Sequence, residues 1–464
     1  MSARPRSSRR DAELLLRCLY VRPSDRRTTR LREAVSGGVD DAGALLASLE
    51  RHGVLPLVAR NLHASGAAEQ LEESVRARLD ERVAALEEDA RRDRLTLRQV
   101  LELAHGLDLP VVLLKGASLA IDVYPEPGLR SQGDVDVMVR PRDVPRFVAA
   151  AAGYGLVPGT GQFPDWWYRL THFHLKLRPS NQFLRELELH WRLQSPSLLL
   201  TPGEGLWDRL QTVSIEGRPA LVLDPLDRLL HLATHLESHW GALSFAPGRE
   251  VLLDVLVGDH SPVRMKWVLD VAAVVEDLHA RVSVSALVTR AQSWGATHQL
   301  ARVLALVLED LLEPEAQPFA KELIDQLRRG RAAPGLRSAP EHRPVEDPRR
   351  NRTHETDRPL PGLDLRAEAL SHWPRWFWPG GEYLVRQYGS GSAAVRFAHA
   401  TRVLARTAIA AAALPLAFVG RALLVRRRQR TLARALAPER VLSLVVEWRR
   451  SARSSVATQR QSQG

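Results

Sequence analysis

Apolar residues recur every three or four positions through the first hundred residues of the chain. The segments "DAGALLASLERHGVLPLVARNLHASG" and "VRARLDERVAALEEDARRDRLTLRQVLELAHGL" both follow this spacing. Because steps of three and four residues return to the same side of an α-helix, the pattern predicts a helical N-terminal region over residues 1–108.

The pattern changes at "LPVVLLKG", a short apolar run that ends in glycine and is typical of a strand. Residues 109–215 then mix strand and helix patterns. In "GDVDVMV", "THFHLKL" and "LRELELHW", apolar and polar residues alternate, so each predicted strand has one apolar and one polar side. If these strands pair, one face of a small mixed sheet rests on helices. The other face becomes a polar floor that carries Asp134, Asp136, His172, His174, Lys176, Glu186, Glu188 and His190.

Helical spacing returns after "LDPLDRLLHLATHL" and predicts a helical domain over residues 216–330. Residues 331–365 are rich in proline, arginine and aspartate without an apolar period, so we expect a disordered linker there. Residues 366–464 resume the helical pattern and end in a basic tail. The order of elements predicts an α+β protein, helical overall, with a small mixed sheet between helical regions.

Composition and charge narrow the class of protein and its partners. With 45% hydrophobic and 26% charged residues over 464 positions, the chain has ordinary globular composition. Its net charge of +11 comes almost entirely from arginine and favours a nucleotide or another polyanion as partner. A GC-rich genome would raise the arginine content equally well, and no motif indicates nucleic acid. The single cysteine, Cys18, excludes an internal disulfide framework, and no signal peptide is evident, so we expect a cytoplasmic protein.

One apolar stretch near the C-terminus raises the question of a membrane. No residue between Arg406 and Arg421 is charged, but this stretch is shorter than the roughly 20 residues that a spanning helix needs. Pro415 interrupts it as well. We expect a buried or partner-facing helix. The alternative is an interfacial helix with basic flanks, which would bring residues 403–426 to a membrane surface.

The two aspartates of "GDVDVMV" are unusual for a strand with apolar neighbours. Carboxylates that share one face of a strand repel one another unless a cation lies among them. Hard oxygen ligands select Mg²⁺ or Mn²⁺, and such ions in turn hold phosphate oxygens. Asp134 and Asp136 therefore predict a metal site for phosphate chemistry, at which the ions would stabilise the attacking and leaving oxygens.

The segment "LLKGASLA" supplies a second candidate element. A strand is predicted to end at Lys115 and Gly116, and a helix to begin near Ala117 and Ser118. Gly116 would let the backbone approach a phosphate at the positive end of that helix. Lys115 would add a positive charge, and Ser118 a hydroxyl.

The segment "LLKGASLAIDVYPEPGLRSQGDVDVMVRPRDVPRFVAAAAGYGLV" resembles the signature of an uncharacterised bacterial nucleotidyltransferase family of the polymerase-β-like superfamily. The later blocks of the family resemble "LELHWRL", "LLHLATH" and "MKWVLDVAAVV", so the resemblance spans roughly residues 40–310. A weaker similarity is present in "WFWPGGEYLVRQYG".

The resemblance implies specific roles for seven residues. It implies metal ligation by Asp134, Asp136 and a third carboxylate, which matches Glu188; alternation alone cannot choose between Glu186 and Glu188. It implies a nucleotide-phosphate turn at Gly116 and Ser118, next to Lys115. The superfamily turn is usually Gly-Gly or Gly-Ser, whereas this chain has Gly-Ala-Ser, so Arg130 is expected to share the phosphate contact.

These residues predict an enzyme that uses Mg²⁺ or Mn²⁺ to move a nucleoside monophosphate from an NTP, with ATP the expected donor, to an acceptor. The acceptor stays open among proteins, small molecules, sugars and nucleic-acid ends. An Asp-x-Asp glycosyltransferase is one alternative, since its metal also holds a nucleotide diphosphate. A catalytically degenerate protein that binds a nucleotide or a partner is the other.

Two further groups of side chains have a structural and a functional interpretation. His231, His235 and His239 follow one face of a predicted helix, and a structural or nucleotide-edge role is expected because no accompanying glutamate completes a zinc-protease motif. The tryptophans of "DWWYRL" and "HWPRWFWPGG" are expected to be core or interface anchors, although tryptophan can also stack on bases.

Overall fold

The structure is a computed structural model, and it describes residues 8–159, 172–194, 205–240, 248–258, 261, 263–329 and isolated positions of a helix between 393 and 408. The predicted linker, the tryptophans of "DWWYRL" and "HWPRWFWPGG", and almost all of the stretch at 403–426 lie outside the described residues. Among the described residues, no helix combines the length and apolar character needed to cross a membrane.

Within the described residues, five α-helices precede the sheet, as the apolar spacing predicts. Serine or aspartate side chains cap three of them by accepting the N–H of the residue three positions on, which satisfies part of the first turn. Gly53 and Gly66 end two of them in the left-handed conformation. The helices are α1 (Arg9–Cys18), α2 (Asp25–Ser36), α3 (Ala42–His52), α4 (Leu55–Ser65) and α5 (Glu73–Gly106).

The described residues form a seven-stranded mixed sheet of order β3-β4-β5-β2-β1-β7-β6. Parallel pairing joins β1 to β7 and β2 to β5, and the other neighbours are antiparallel. The predicted α+β class is confirmed. The strands are β1 (Val112–Leu113), β2 (Val135–Met138), β3 (Leu156–Pro158), β4 (His174–Pro179), β5 (Leu187–His190), β6 (Gln211–Ile215) and β7 (Arg218–Val222).

Helices cover both sides of this sheet. Two of them, α6 (Lys115–Asp122) and α7 (Val144–Ala151), follow β1 and β2, and α7 shares an apolar core with the end of α5 and one face of the sheet. A second, larger core joins α1–α4 to the helices after the sheet. These are α8 (Pro225–Trp240), α9 (Arg249–Val257), α10 (Met265–Leu278), α11 (Val284–Trp294), α12 (Thr297–Val307) and α13 (Gln317–Arg329).

The strand register brings the polar side chains of three strands together. Asp136 on β2 lies opposite Glu188 on β5, and Glu188 lies opposite Lys176 on β4. His190 lies opposite His174 two residues further along, which is the next pair on the same face. The alternate apolar residues of these strands are buried in the core beneath α5 and α7. The predicted polar floor therefore exists, and its apolar underside holds it in place.

Candidate active site

A single backbone feature at Lys115 joins strand β1 to helix α6. The Leu114 N–H donates to the Asp136 carbonyl at 3.0 Å, and the next residue, Lys115, turns the chain with φ +44°. A residue other than glycine in this left-handed region costs roughly 1–2 kcal/mol, so its surroundings must fix it there. Helix α6 begins at Lys115, and the predicted start near Ala117 and Ser118 is wrong by two residues. Gly116 and Ser118 consequently lie within the first turns of the helix.

The carboxylates of the floor are surrounded by cationic side chains of the protein. Lys115 Nζ donates to Asp136 Oδ1 at 2.7 Å and lies 3.8 Å from Glu188 Oε2. His190 Nε2 is 2.9 Å from Asp136 Oδ1 and 3.5 Å from Glu188 Oε2. Lys176 Nζ lies 3.1 Å from Glu188 Oε1. The repulsion that the sequence predicts between carboxylates is thus already reduced by the chain itself.

These contacts set the protonation of the buried groups. Burial opposes ionisation of Asp136, but Lys115 and the His190 hydrogen bond hold the pKa of that carboxyl below its usual value. Burial likewise opposes the charge on Glu188, and His190 and Lys115 hold its pKa well below the ordinary range. Burial lowers the pKa of Lys115, but the two carboxylates outweigh it and leave the pKa raised. Burial also lowers the pKa of His190, but its hydrogen bonds with Asp136 and Glu188 outweigh burial and leave the pKa raised.

Asp134 differs from the other carboxylates of the site. It precedes β2, is partly exposed, and has no hydrogen bond or ion pair with any part of the chain that the structure describes. Burial, followed by the charges of Asp136 and Glu188, raises the pKa of Asp134 to about 6. Lys115 and Lys266 offset part of this effect through their charges. Asp134 is therefore the carboxylate of this group that lacks a direct cationic partner among the described residues.

The donor set suits a divalent cation. Asp134, Asp136 and Glu188 offer the oxygen ligands that Mg²⁺ and Mn²⁺ prefer. His174, Glu188 and His190 each present a ligand atom within 4.8 Å of the others, which adds imidazole nitrogens to the same floor. The Lys115–Asp136 contact argues against metal binding, since the ammonium and a metal cation would compete for that carboxylate.

Arg130 lies beneath the start of α6 and is fully engaged with the protein. Its Nε and Nη2 donate to the two oxygens of Asp270 at 2.8 and 2.6 Å, and Tyr124 donates to the same carboxylate at 2.9 Å. A Cβ on Gly116 would come within 3.2 Å of Arg130 Nη1, so the glycine permits this close approach. The Ser118 hydroxyl is buried and lacks a hydrogen-bond partner among the described residues.

Two charged residues of α10 complete the surroundings and were absent from the predicted site. Asp270 anchors Arg130, and Lys266 Nζ donates to the Ser131 carbonyl at 3.2 Å. Burial, then the charge of Arg130, lowers the pKa of Lys266 to about 8. The sequence could have indicated both residues, because a lysine and an aspartate interrupt the apolar residues of "MKWVLDVAAVV".

Comparison with known proteins bears on the same region. A family model described as an uncharacterised nucleotidyltransferase matches residues 39–310, more than half of the chain. The match includes the whole sheet and every residue of the floor, and it confirms the resemblance drawn from the sequence. No curated protein and no solved structure matches the chain.

Proposed function

The chain belongs to this uncharacterised nucleotidyltransferase family, and from that membership we propose a nucleotidyltransferase that depends on Mg²⁺ or Mn²⁺. It would move a nucleoside monophosphate from an NTP, with ATP the expected donor, to an acceptor hydroxyl or phosphate and release pyrophosphate. The observation that carries the proposal is the pairing of Asp136 with Glu188 on neighbouring parallel strands, with Asp134 beside them and without a direct ion pair among the described residues.

Asp134, Asp136 and Glu188 would hold the cation. When bound, the cation would supply charge neutralisation for the triphosphate and Lewis-acid activation of the phosphate oxygens. Asp134 supports this role, because a carboxylate that lies beside two others and has no direct ion pair among the described residues gains most from a cation.

Lys115, Gly116 and Ser118 would bind the triphosphate. Lys115 would exchange its contact with Asp136 for a phosphate oxygen, so that a positive charge remains next to the floor. Gly116 carries no side chain at the start of α6, where backbone N–H groups favour an anion. The unpartnered Ser118 hydroxyl is available as a further donor, while Arg130 would support the turn from below through its pairing with Asp270.

The rate enhancement would come from position and charge. Phosphoryl-type transfer needs little covalent chemistry from the protein, because aligning the acceptor oxygen with the α-phosphate and stabilising the developing charge provide most of it. The polar floor is fixed by strand pairing and by the contacts of His190 with Asp136 and of Lys176 with Glu188, so its groups are held in place before a substrate binds.

A second candidate function rests on the Lys115–Asp136 ion pair. If Lys115 keeps its 2.7 Å contact with Asp136 in every state, the protein would bind a nucleotide without a metal and without turnover. This is the degenerate protein of the sequence analysis, and the two candidates differ in how nucleotide affinity responds to Mg²⁺.

Calorimetric titration with α,β-methylene-ATP, whose α–β bond resists cleavage, separates the two candidates. We expect binding to be at least about tenfold tighter with Mg²⁺ than with a chelator, ~1.4 kcal/mol. The Asp134→Asn protein should lose this metal dependence, since it lacks the proposed ligand whose charge no direct ion pair with a described residue offsets. Equal affinity with and without Mg²⁺ in the wild-type protein would argue for the metal-free candidate.

A further inference from the structure

Helix α8 carries a row of imidazole rings. His231, His235 and His239 are four residues apart, which places them along one side of the helix. The ring centroids of His231 and His235 are 6.5 Å apart, and those of His235 and His239 are 4.7 Å apart in an edge-to-face arrangement.

Trp267 from α10 joins the outer end of this row. Its ring stacks on His239 with centroids 4.6 Å apart and planes inclined by 30°. It also meets His235 edge-to-face at 5.1 Å. His239 is exposed and Trp267 is partly exposed, so the stacked pair presents aromatic surface to a ligand.

The row extends from the polar floor towards the surface. Besides burial, the positive charge of Lys115 contributes to lowering the pKa of all three histidines, so the row lies within electrostatic reach of the site. The residue before Trp267 is Lys266, whose ammonium contacts the loop that leads into Asp134. At the inner end, His231 lies within electrostatic reach of Asp136 and His190. At the outer end, Trp267 follows Lys266 in α10, so both ends of the row border the site.

His231 at the inner end lacks the contacts of a purely structural histidine. Its ring is buried, and neither ring nitrogen has a hydrogen-bond partner among the described residues. Buried polar atoms without partners are rare in folded proteins. The inner end of the row is therefore suited to a ligand that brings a hydrogen-bonding group.

We propose that His239 and Trp267 form a stacking surface for the base of the donor nucleotide, with His231 at the ribose side. This inference rests on the proposed function and adds the part of the chain that holds the base. Neutral imidazole and indole rings offer flat π-faces on which any nucleobase stacks. The surface would therefore bind different bases with similar affinity.

Two ligands that differ mainly in the presence of the nucleoside test this assignment. Tripolyphosphate carries the triphosphate charge but has neither base nor ribose, whereas α,β-methylene-ATP has all three parts. With Mg²⁺ present, we expect Trp267→Ala and His239→Ala to weaken binding of the ATP analogue about 5- to 150-fold, the range reported for losing one base–aromatic stack. Affinity for tripolyphosphate should stay within about twofold of wild type. Trp267→Phe should retain most of the nucleotide affinity.

Trp207→Ala is the matched control, because Trp207 packs against Arg140 rather than the histidine row and its loss should affect neither ligand. Equal loss of both ligands in a folded Trp267→Ala protein would overturn the stacking assignment, as would unchanged nucleotide affinity. If the wild-type protein binds the ATP analogue no more tightly than tripolyphosphate, this inference fails alone. If it binds neither, the proposed function fails as well.

Discussion

Replacing Asp134 by asparagine is expected to lower nucleotidyl transfer by about three orders of magnitude without lowering the melting temperature. Asp134 has no hydrogen bond or ion pair within the described part of the chain, and its neighbours Asp136 and Glu188 repel its charge. The substitution removes this repulsion, so the metal-free protein should be as stable as wild type or more stable. Single-turnover kinetics and thermal melting in a chelator measure the two effects.

Asp136→Asn should lose activity to a similar extent but should also destabilise the fold. Lys115 and His190 both contact Asp136; Asp136 and His190 are buried, and the side chain of Lys115 is only 14% exposed. Breaking a buried ion pair leaves an uncompensated charge and typically costs about 3–5 kcal/mol. Asp143→Asn serves as control, because Asp143 lies after β2 and contacts none of these groups. Full activity in the Asp134 variant, or a lower melting temperature there than in the Asp136 variant, would contradict the assigned roles.

Glu188→Gln is expected to lower transfer by at least about two orders of magnitude, whereas Glu186→Gln should change it only a few-fold. Glu188 lies opposite Asp136 in the strand register, and its side chain is 10% exposed. Glu186 precedes β5, its side chain is 29% exposed, and it contacts Lys176 and Arg178 at the edge of the floor.

Glu186 and Glu188 are neighbours on the same face of the chain, two residues apart, so each variant controls for the other. Rates of transfer at saturating nucleotide, measured side by side, decide between them. A larger loss in the Glu186 variant would mean that the third ligand of the site lies two residues earlier in the chain than proposed.

The composition of the polar floor could be predicted because it depends on local alternation. Asp136, Glu188 and His190 each follow a two-residue period that fixes their face once the strand is recognised. The hairpin of β6 and β7 also has a local cause, since Glu216 and Gly217 both adopt positive φ in its two-residue turn. Its strands nevertheless went unpredicted, because glutamate is an uncommon residue for the first position of such a turn.

The contact of Lys115 with the floor could not be predicted from the sequence. Lys115 and Asp136 are 21 residues apart, and their contact depends on the antiparallel pairing of β1 with β2 and on the left-handed backbone of Lys115. The anchoring of Arg130 by Asp270 crosses 140 residues. Such contacts follow from tertiary packing, for which the residues concerned carry no periodic signal.

The family membership and the floor together make nucleotidyl transfer the central claim, and the fate of the nucleotide's phosphates tests it most directly. The wild-type protein is incubated with Mg²⁺, a cell extract as source of acceptors, and ATP radiolabelled at either the α- or the γ-phosphate. Nucleotidyl transfer predicts that label from the α-phosphate appears on an acceptor while label from the γ-phosphate appears in pyrophosphate, with both lost in the Asp134→Asn protein. Transfer of the γ-label to an acceptor, or the absence of any transfer from a protein that binds the nucleotide, would contradict it.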